Sequence, residues 1–204
     1  SCQRWDHGHY AAWRHLAQQE LDLVAFLGDY IYEYPSSPLA PRRHDGGLIR
    51  TLEQFRARYA QYKRDPALQA AHAACPWLEN DHAGGHPTTP LGADMDVLKA
   101  MAYQAWWEHQ PVSQAQRPRG PALALHARLD WGRLARLHLL DNRQHRDAQA
   151  CPPPLRSSGS ATVLPGQCPG LDDRARSVLG GAQERWLAEG WSRDRPWNLL
   201  LQQT

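Results

Sequence analysis

Gly28-Asp29-Tyr30-Ile31-Tyr32-Glu33-Tyr34 places two carboxylates and three phenols directly after the apolar run Leu23-Val24-Ala25-Phe26-Leu27. In open α/β sheets, ligands bind beyond the carboxyl ends of the strands. Asp29 and Tyr32 stand at such an end, and Cys2 joins them if it closes a neighbouring strand. A thiolate, a carboxylate and a phenolate brought together form an anionic set that an ordinary core does not tolerate and that a divalent or trivalent metal would stabilise. The plainer reading is a strand-to-loop junction, with Asp29 capping a turn and the tyrosines sitting as amphipathic rim residues. A Gly-Asp step after an apolar strand does not choose between the two.

The elements that must position these residues alternate in type. Residues 10–20 have a helical pattern, and 21–28 read as a strand buried on both faces. Residues 35–47, with three prolines and a Gly-Gly pair, form a loop. Helices follow over 51–63 and 65–75, the second with Asp65 as N-cap and Pro66 at its first position. Residues 76–78 make a short strand, and the Gly-rich stretch after them is a loop. Residues 94–109 are helical, and their Trp106-Trp107 pair reads as core. Apolar alternation on both sides of Asp130-Trp131-Gly132 predicts two paired strands. Residues 151–173 form a Pro-rich loop, 179–191 a helix, and 197–204 the start of a buried strand. Strands alternating with helices predict an α/β fold.

Composition excludes some classes. Lys and Arg total 23 against 21 Asp and Glu, a net charge of +2, so no basic field points to a nucleic-acid-binding surface. No apolar run is long enough to span a bilayer, so no membrane span is expected. Of the four cysteines, Cys151 and Cys168 share one loop that a disulfide would staple, with solitary thiols as the alternative. Eleven histidines are many for 204 residues, but scattered His is not by itself a ligand set.

Several long stretches resemble the PhoD-like alkaline phosphatases of the calcineurin-like metallophosphatase superfamily. They are "SCQ", "LDLVAFLGDYIYEY", "FRARYAQYKRDPALQAAHAACPW", "ENDHAGG", "YQAWWEH", "LDWGRLARLHLLDNRQHRDAQAC" and "LGGAQERWL" with "WNLLLQQ". The resemblance implies residues 1–204 as a partial catalytic domain, an α/β metallophosphatase-type sandwich of two mixed β-sheets flanked by helices and incomplete at both ends. It implies Cys2, Asp29 and Tyr32 as metal ligands, with Fe³⁺ on Cys2 and Tyr32 and Asp29 bridging to Ca²⁺. The expected reaction is metal-dependent hydrolysis of phosphate mono- and diesters, a phosphate ester being the substrate. Asn80 is a further candidate ligand, and Arg43 and His44 are candidate substrate contacts. Arg143, Arg146 and Asp147 read as structural ion pairing. A cysteine pair in relatives aligns with Cys151 and Cys168, which favours their disulfide and a secreted or periplasmic location.

The sequence also departs from that pattern. Leu78 joins Glu79 directly where the family carries a segment close to "WDDHE"; the strand leading into Cys2 and the later "GDVH"-type motif are absent. An alternative therefore stands beside the phosphoesterase: a degenerate, catalytically inactive fragment with at most weak metal or phosphate binding. A third reading is an α/β binding domain that holds an anion on an Arg/His patch and needs no metal.

Overall fold

Short polar caps set the helix starts. Thr51, extended at φ −129° and ψ 159°, accepts a hydrogen bond from the Gln54 amide, and the Gln54 side chain accepts from the Thr51 amide in return. This reciprocal cap satisfies donors that a helix N-terminus leaves open. Asp65 Oδ1 accepts from the amides of Ala67 and Leu68, with Pro66 at the first position as predicted. Asp94 does the same for Asp96 and Val97.

The computed structural model describes residues 1–79, 94–148, 150–151, 163–164 and 166–203. They divide into two compact units, one holding residues 1–79, 94–125 and 203, the other the described residues of 126–202.

In the first unit the elements are α1 (Ala11–Leu16), β1 (Val24–Phe26), α2 (Leu52–Lys63), α3 (Pro66–Ala74), β2 (Trp77–Glu79) and α4 (Met95–His109). β1 and β2 pair in parallel, Ala25 opposite Leu78. Helix α2 packs on α4 and α3, and α1 packs on α3. Phe55, Arg58, Tyr59 and Tyr62 recur at helical spacing on the buried face of α2. Phe26, Tyr30, Tyr103 and Trp106 fill the core with them, each buried ring stabilising the fold by about 2–3 kcal/mol. Trp106 is core as expected, with Trp107 packed against it only in part.

Two expectations need correction here. The helix over 10–20 stops at Leu16, because the Gln18 and Gln19 amides bond to the carbonyls three residues back and tighten the chain into a turn. The strand over 21–28 shrinks to three residues buried on one side, with Ala25 exposed and Phe26 covered. Its apolar composition does not supply the second covering layer that two-sided burial requires.

In the second unit β3 (Ala127–Trp131) runs antiparallel to β4 (Ala135–Leu139), and β4 runs parallel to β5 (Trp197–Leu201). Gly132, at φ +54°, turns the chain between β3 and β4. Asp130 forms ion pairs with both Arg136 and Arg195, which ties the hairpin to the segment before β5. Helix α5 (Gly181–Glu189) is moored by Gln183, whose amide exchanges two hydrogen bonds, each 2.8 Å, with the backbone of Asp141. Cys151 and Cys168 are joined in a disulfide. β5 was expected to be buried, yet Trp197 is 59 % and Leu200 46 % exposed, one on each face. Among the described residues, Asp147 accepts from the Ser177 amide at 2.6 Å and joins no ion pair. The fold is α/β, and among the described residues it holds two sheets: a parallel pair, and a mixed sheet in the order β3-β4-β5.

Candidate metal and phosphate site

Beyond β1 the backbone leaves ordinary conformations three times. Gly28 has φ +119°, Asp29 +56°, and Cys2, beside them, +59°. Left-handed backbone at a residue with a Cβ costs on the order of 1–3 kcal/mol and gathers at functional sites. Two backbone hydrogen bonds hold the strained segments together, from the Cys2 amide to Gly28 O at 2.9 Å and from the Gln3 amide to Asp29 O at 3.2 Å.

This arrangement brings the three predicted ligands onto one atom. Asp29 Oδ2 accepts from Cys2 Sγ at 3.4 Å and from the Tyr32 hydroxyl at 3.0 Å. Asp29 Oδ1 accepts from Gln203 Nε2 at 2.7 Å. Burial, then the adjacent Asp29 carboxylate and Cys2, push the Tyr32 phenol well above its ordinary value. The Tyr32 hydroxyl donates to Asp29, and a cation placed among the three groups would favour the phenolate instead. Thiol, carboxylate and phenol suit a hard or borderline cation better than anything else in a protein interior. Among the described residues no three His, Cys, Asp or Glu side chains gather, so the candidate centre depends on the phenol as its third donor.

The three tyrosines of the motif part company. Tyr30 is fully buried, stacked on Tyr59, with its hydroxyl 2.8 Å from His72 Nε2. Tyr32 faces Asp29. Tyr34 lends its carbonyl to a buried clamp: the Arg58 guanidinium, on α2, donates to the carbonyls of Tyr32, Tyr34, Asp45 and Gly47. Gln61, one turn on, binds the Asp45 amide and the Arg43 carbonyl. Helix α2 thereby fixes the loop that carries Tyr32.

The candidate substrate contacts have partners of their own. Arg43 is exposed and donates to Pro38 O at 2.8 Å. His44 is buried, with Nδ1 3.0 Å from Tyr34 O and Nε2 3.0 Å from the Tyr62 hydroxyl. Burial, then the charge of Arg58, lowers its pKa, and both ring nitrogens have partners within the fold. Asn80 lies outside the described residues, as do Asp81 and His82. Leu78 and Glu79, beside which the resemblance leads one to expect a "WDDHE"-type segment, are the last residues of β2, with Glu79 opposite Phe26 at the strand end next to the one that carries Asp29.

Sequence reading did not find Gln203 or Arg58. Gln203 had a usable signal, since a polar pair after an apolar strand is what singled out Asp29.

A family model described as PhoD-like phosphatase matches residues 1–204. The chain belongs to the PhoD-like phosphatase family. Alkaline phosphatase D of Bacillus subtilis (strain 168) is 38 % identical over 218 residues, an alignment covering all of this chain and 36 % of that protein. A solved structure described as the structure of PhoD superposes with a TM-score of 0.83 at 36 % identity, covering 98 % of this chain and 39 % of that one. The PhoD-like fold of this chain is therefore of the metallophosphatase type, and the chain spans little more than a third of the length of the relatives it matches. Among the described residues no helix is long and apolar enough to cross a membrane.

Proposed function

We propose that this PhoD-like chain carries part of a metal-dependent phosphoesterase site that hydrolyses phosphate mono- and diesters. The observation that carries the reading is the convergence of Cys2 Sγ and the Tyr32 hydroxyl on one oxygen of Asp29. Cys2 and Tyr32 would hold Fe³⁺, and Asp29 would face both it and Ca²⁺, in keeping with the affinity of phenolate for ferric iron and of carboxylate for calcium. Such cations neutralise charge on the phosphoryl group and activate the attacking water. The chain's own residues do the positioning: Gln203 orients Asp29, and Arg58 holds the Tyr32 carbonyl. The Cys151–Cys168 disulfide supports an oxidising, extracytoplasmic compartment.

One observation favours a second reading, weak metal or phosphate binding without turnover: the described residues bring no three His, Cys, Asp or Glu side chains together. Hydrolysis of a chromogenic phosphate diester at alkaline pH, by the chain reconstituted with Fe³⁺ and Ca²⁺ and by its Asp29→Asn variant, separates the two. Activity lost in the variant supports the phosphoesterase. Equal background in both leaves the binding remnant.

A further inference from the structure

We propose that Arg4 is an anion-contacting residue of this site, its guanidinium binding the phosphoryl oxygens of a phosphate ester or of the phosphate released from it. The proposal rests on the phosphoesterase reading for the identity of the ester, but not for the binding of phosphate itself. Arg4 follows Cys2 by two residues, and its amide donates to the Cys2 carbonyl at 3.0 Å. Its guanidinium carbon lies 5.3 Å from the centroid of the Tyr32 ring, whose hydroxyl sits on Asp29. The cation is thus beside the candidate metal ligands.

One edge of the guanidinium is anchored and the rest is available. Arg4 Nε donates to Asp6 Oδ1 at 3.0 Å, and Asp6 is fully buried. Burial opposes the charge on Asp6, but hydrogen bonds from Ser36 and Arg4 outweigh it and hold the carboxyl below its ordinary value. The anchor is therefore an anion whose position the interior fixes. Among the described residues Nη1 and Nη2 of Arg4 have no hydrogen-bond partner, and the side chain keeps 30 % of its exposure. A planar fork held by its inner edge, with its outer nitrogens in reach of solvent, is suited to paired hydrogen bonds with a tetrahedral oxyanion.

Neighbouring arginines make other contacts. Arg42 spends Nε on the Trp5 carbonyl and Nη1 on Asp65, and Arg58 is buried against four carbonyls. Arg43 donates to Pro38 O. Arg4 combines proximity to Cys2, Asp29 and Tyr32 with spare donors.

The test is titration calorimetry of inorganic phosphate into the Fe³⁺- and Ca²⁺-reconstituted chain and into its Arg4→Gln and Arg4→Lys variants, with metal content and melting temperature measured on each. The expected result is phosphate affinity lower by about tenfold in Arg4→Gln, the order of one lost charged hydrogen bond, and partly regained in Arg4→Lys, which keeps the charge but not the fork. Metal content stays near that of the parent chain, while both variants lose some melting temperature with the Arg4–Asp6 pair. Equal affinity in all three proteins overturns the proposal, as does an unmodified chain that binds no phosphate. An affinity loss that tracks lost metal, or one as large in Arg4→Lys as in Arg4→Gln, also overturns it, since Arg4 would then act only through the fold. Phosphate binding that depends on Arg4 without ester hydrolysis by the parent chain would sink the phosphoesterase reading while leaving this one standing.

Discussion

Gln203 holds Asp29 from 174 residues away, its amide nitrogen 2.7 Å from Oδ1. The two carboxylate oxygens are thereby divided, Oδ1 to Gln203 and Oδ2 to Cys2 and Tyr32. A carboxylate only accepts, so the Gln203 amide must present its nitrogen there. The same side chain occupies the space over Gly28, where an added Cβ would come within 2.8 Å of its terminal atoms.

Gly28→Ala is therefore expected to destabilise the chain by about 1–3 kcal/mol, through a backbone at φ +119° that an L side chain rarely adopts. It also displaces Gln203 from Asp29. Combining it with Gln203→Ala should relieve the steric part and leave the backbone part, so the double variant falls short of the sum of the singles. Urea denaturation of the four proteins measures this; strict additivity would show that the two residues do not meet.

Arg58→Met should cost about 2–4 kcal/mol, because it removes a buried guanidinium that donates to the carbonyls of Tyr32, Tyr34 and Gly47 at once. Arg58→Lys should recover only a fraction, since an ammonium cannot span carbonyls that a guanidinium fork reaches. Chemical denaturation reports both. A loss under about 1 kcal/mol for Arg58→Met would mean that water takes over the carbonyls.

Three phenols set an alkaline limit. Burial pushes Tyr62 up to about 12, and Tyr10 and Tyr32 are also raised, burial again being the main cause. An unfolded phenol titrates near 10. Below that pH the folded and unfolded chains bind these protons alike, and the phenols' contribution is fully present. Above it the unfolded state releases protons that the fold retains, so stability falls as pH rises from about 10 towards 12. Urea midpoints measured across that window should decline, and less steeply in Tyr62→Phe. A flat profile would show that these phenols are not held neutral by the fold.

Much of this was legible locally. Asp65-Pro66 announces α3 because a cap and a fixed φ act within one turn of helix. The hairpin around Gly132 follows from alternation and a residue free to take positive φ. Asp29 and Tyr32 stood out because polar groups at the end of an apolar strand are a short-range pattern. The extents of β1 and β5 were not legible, since apolar composition says that a strand can be buried but not whether a second layer covers it.

The sequence alone determined the family and the chemical types at the site, since helix caps, strand-end acids and long family-specific stretches are properties of neighbouring residues. Tertiary structure decided which of those groups meet. His44 bonds to the Tyr62 hydroxyl, 18 residues on, while the Gln203 amide reaches Asp29 across 174 residues. Hydrogen bonds between residues so far apart form only when packing brings their elements together, and no local pattern of residues encodes that distance.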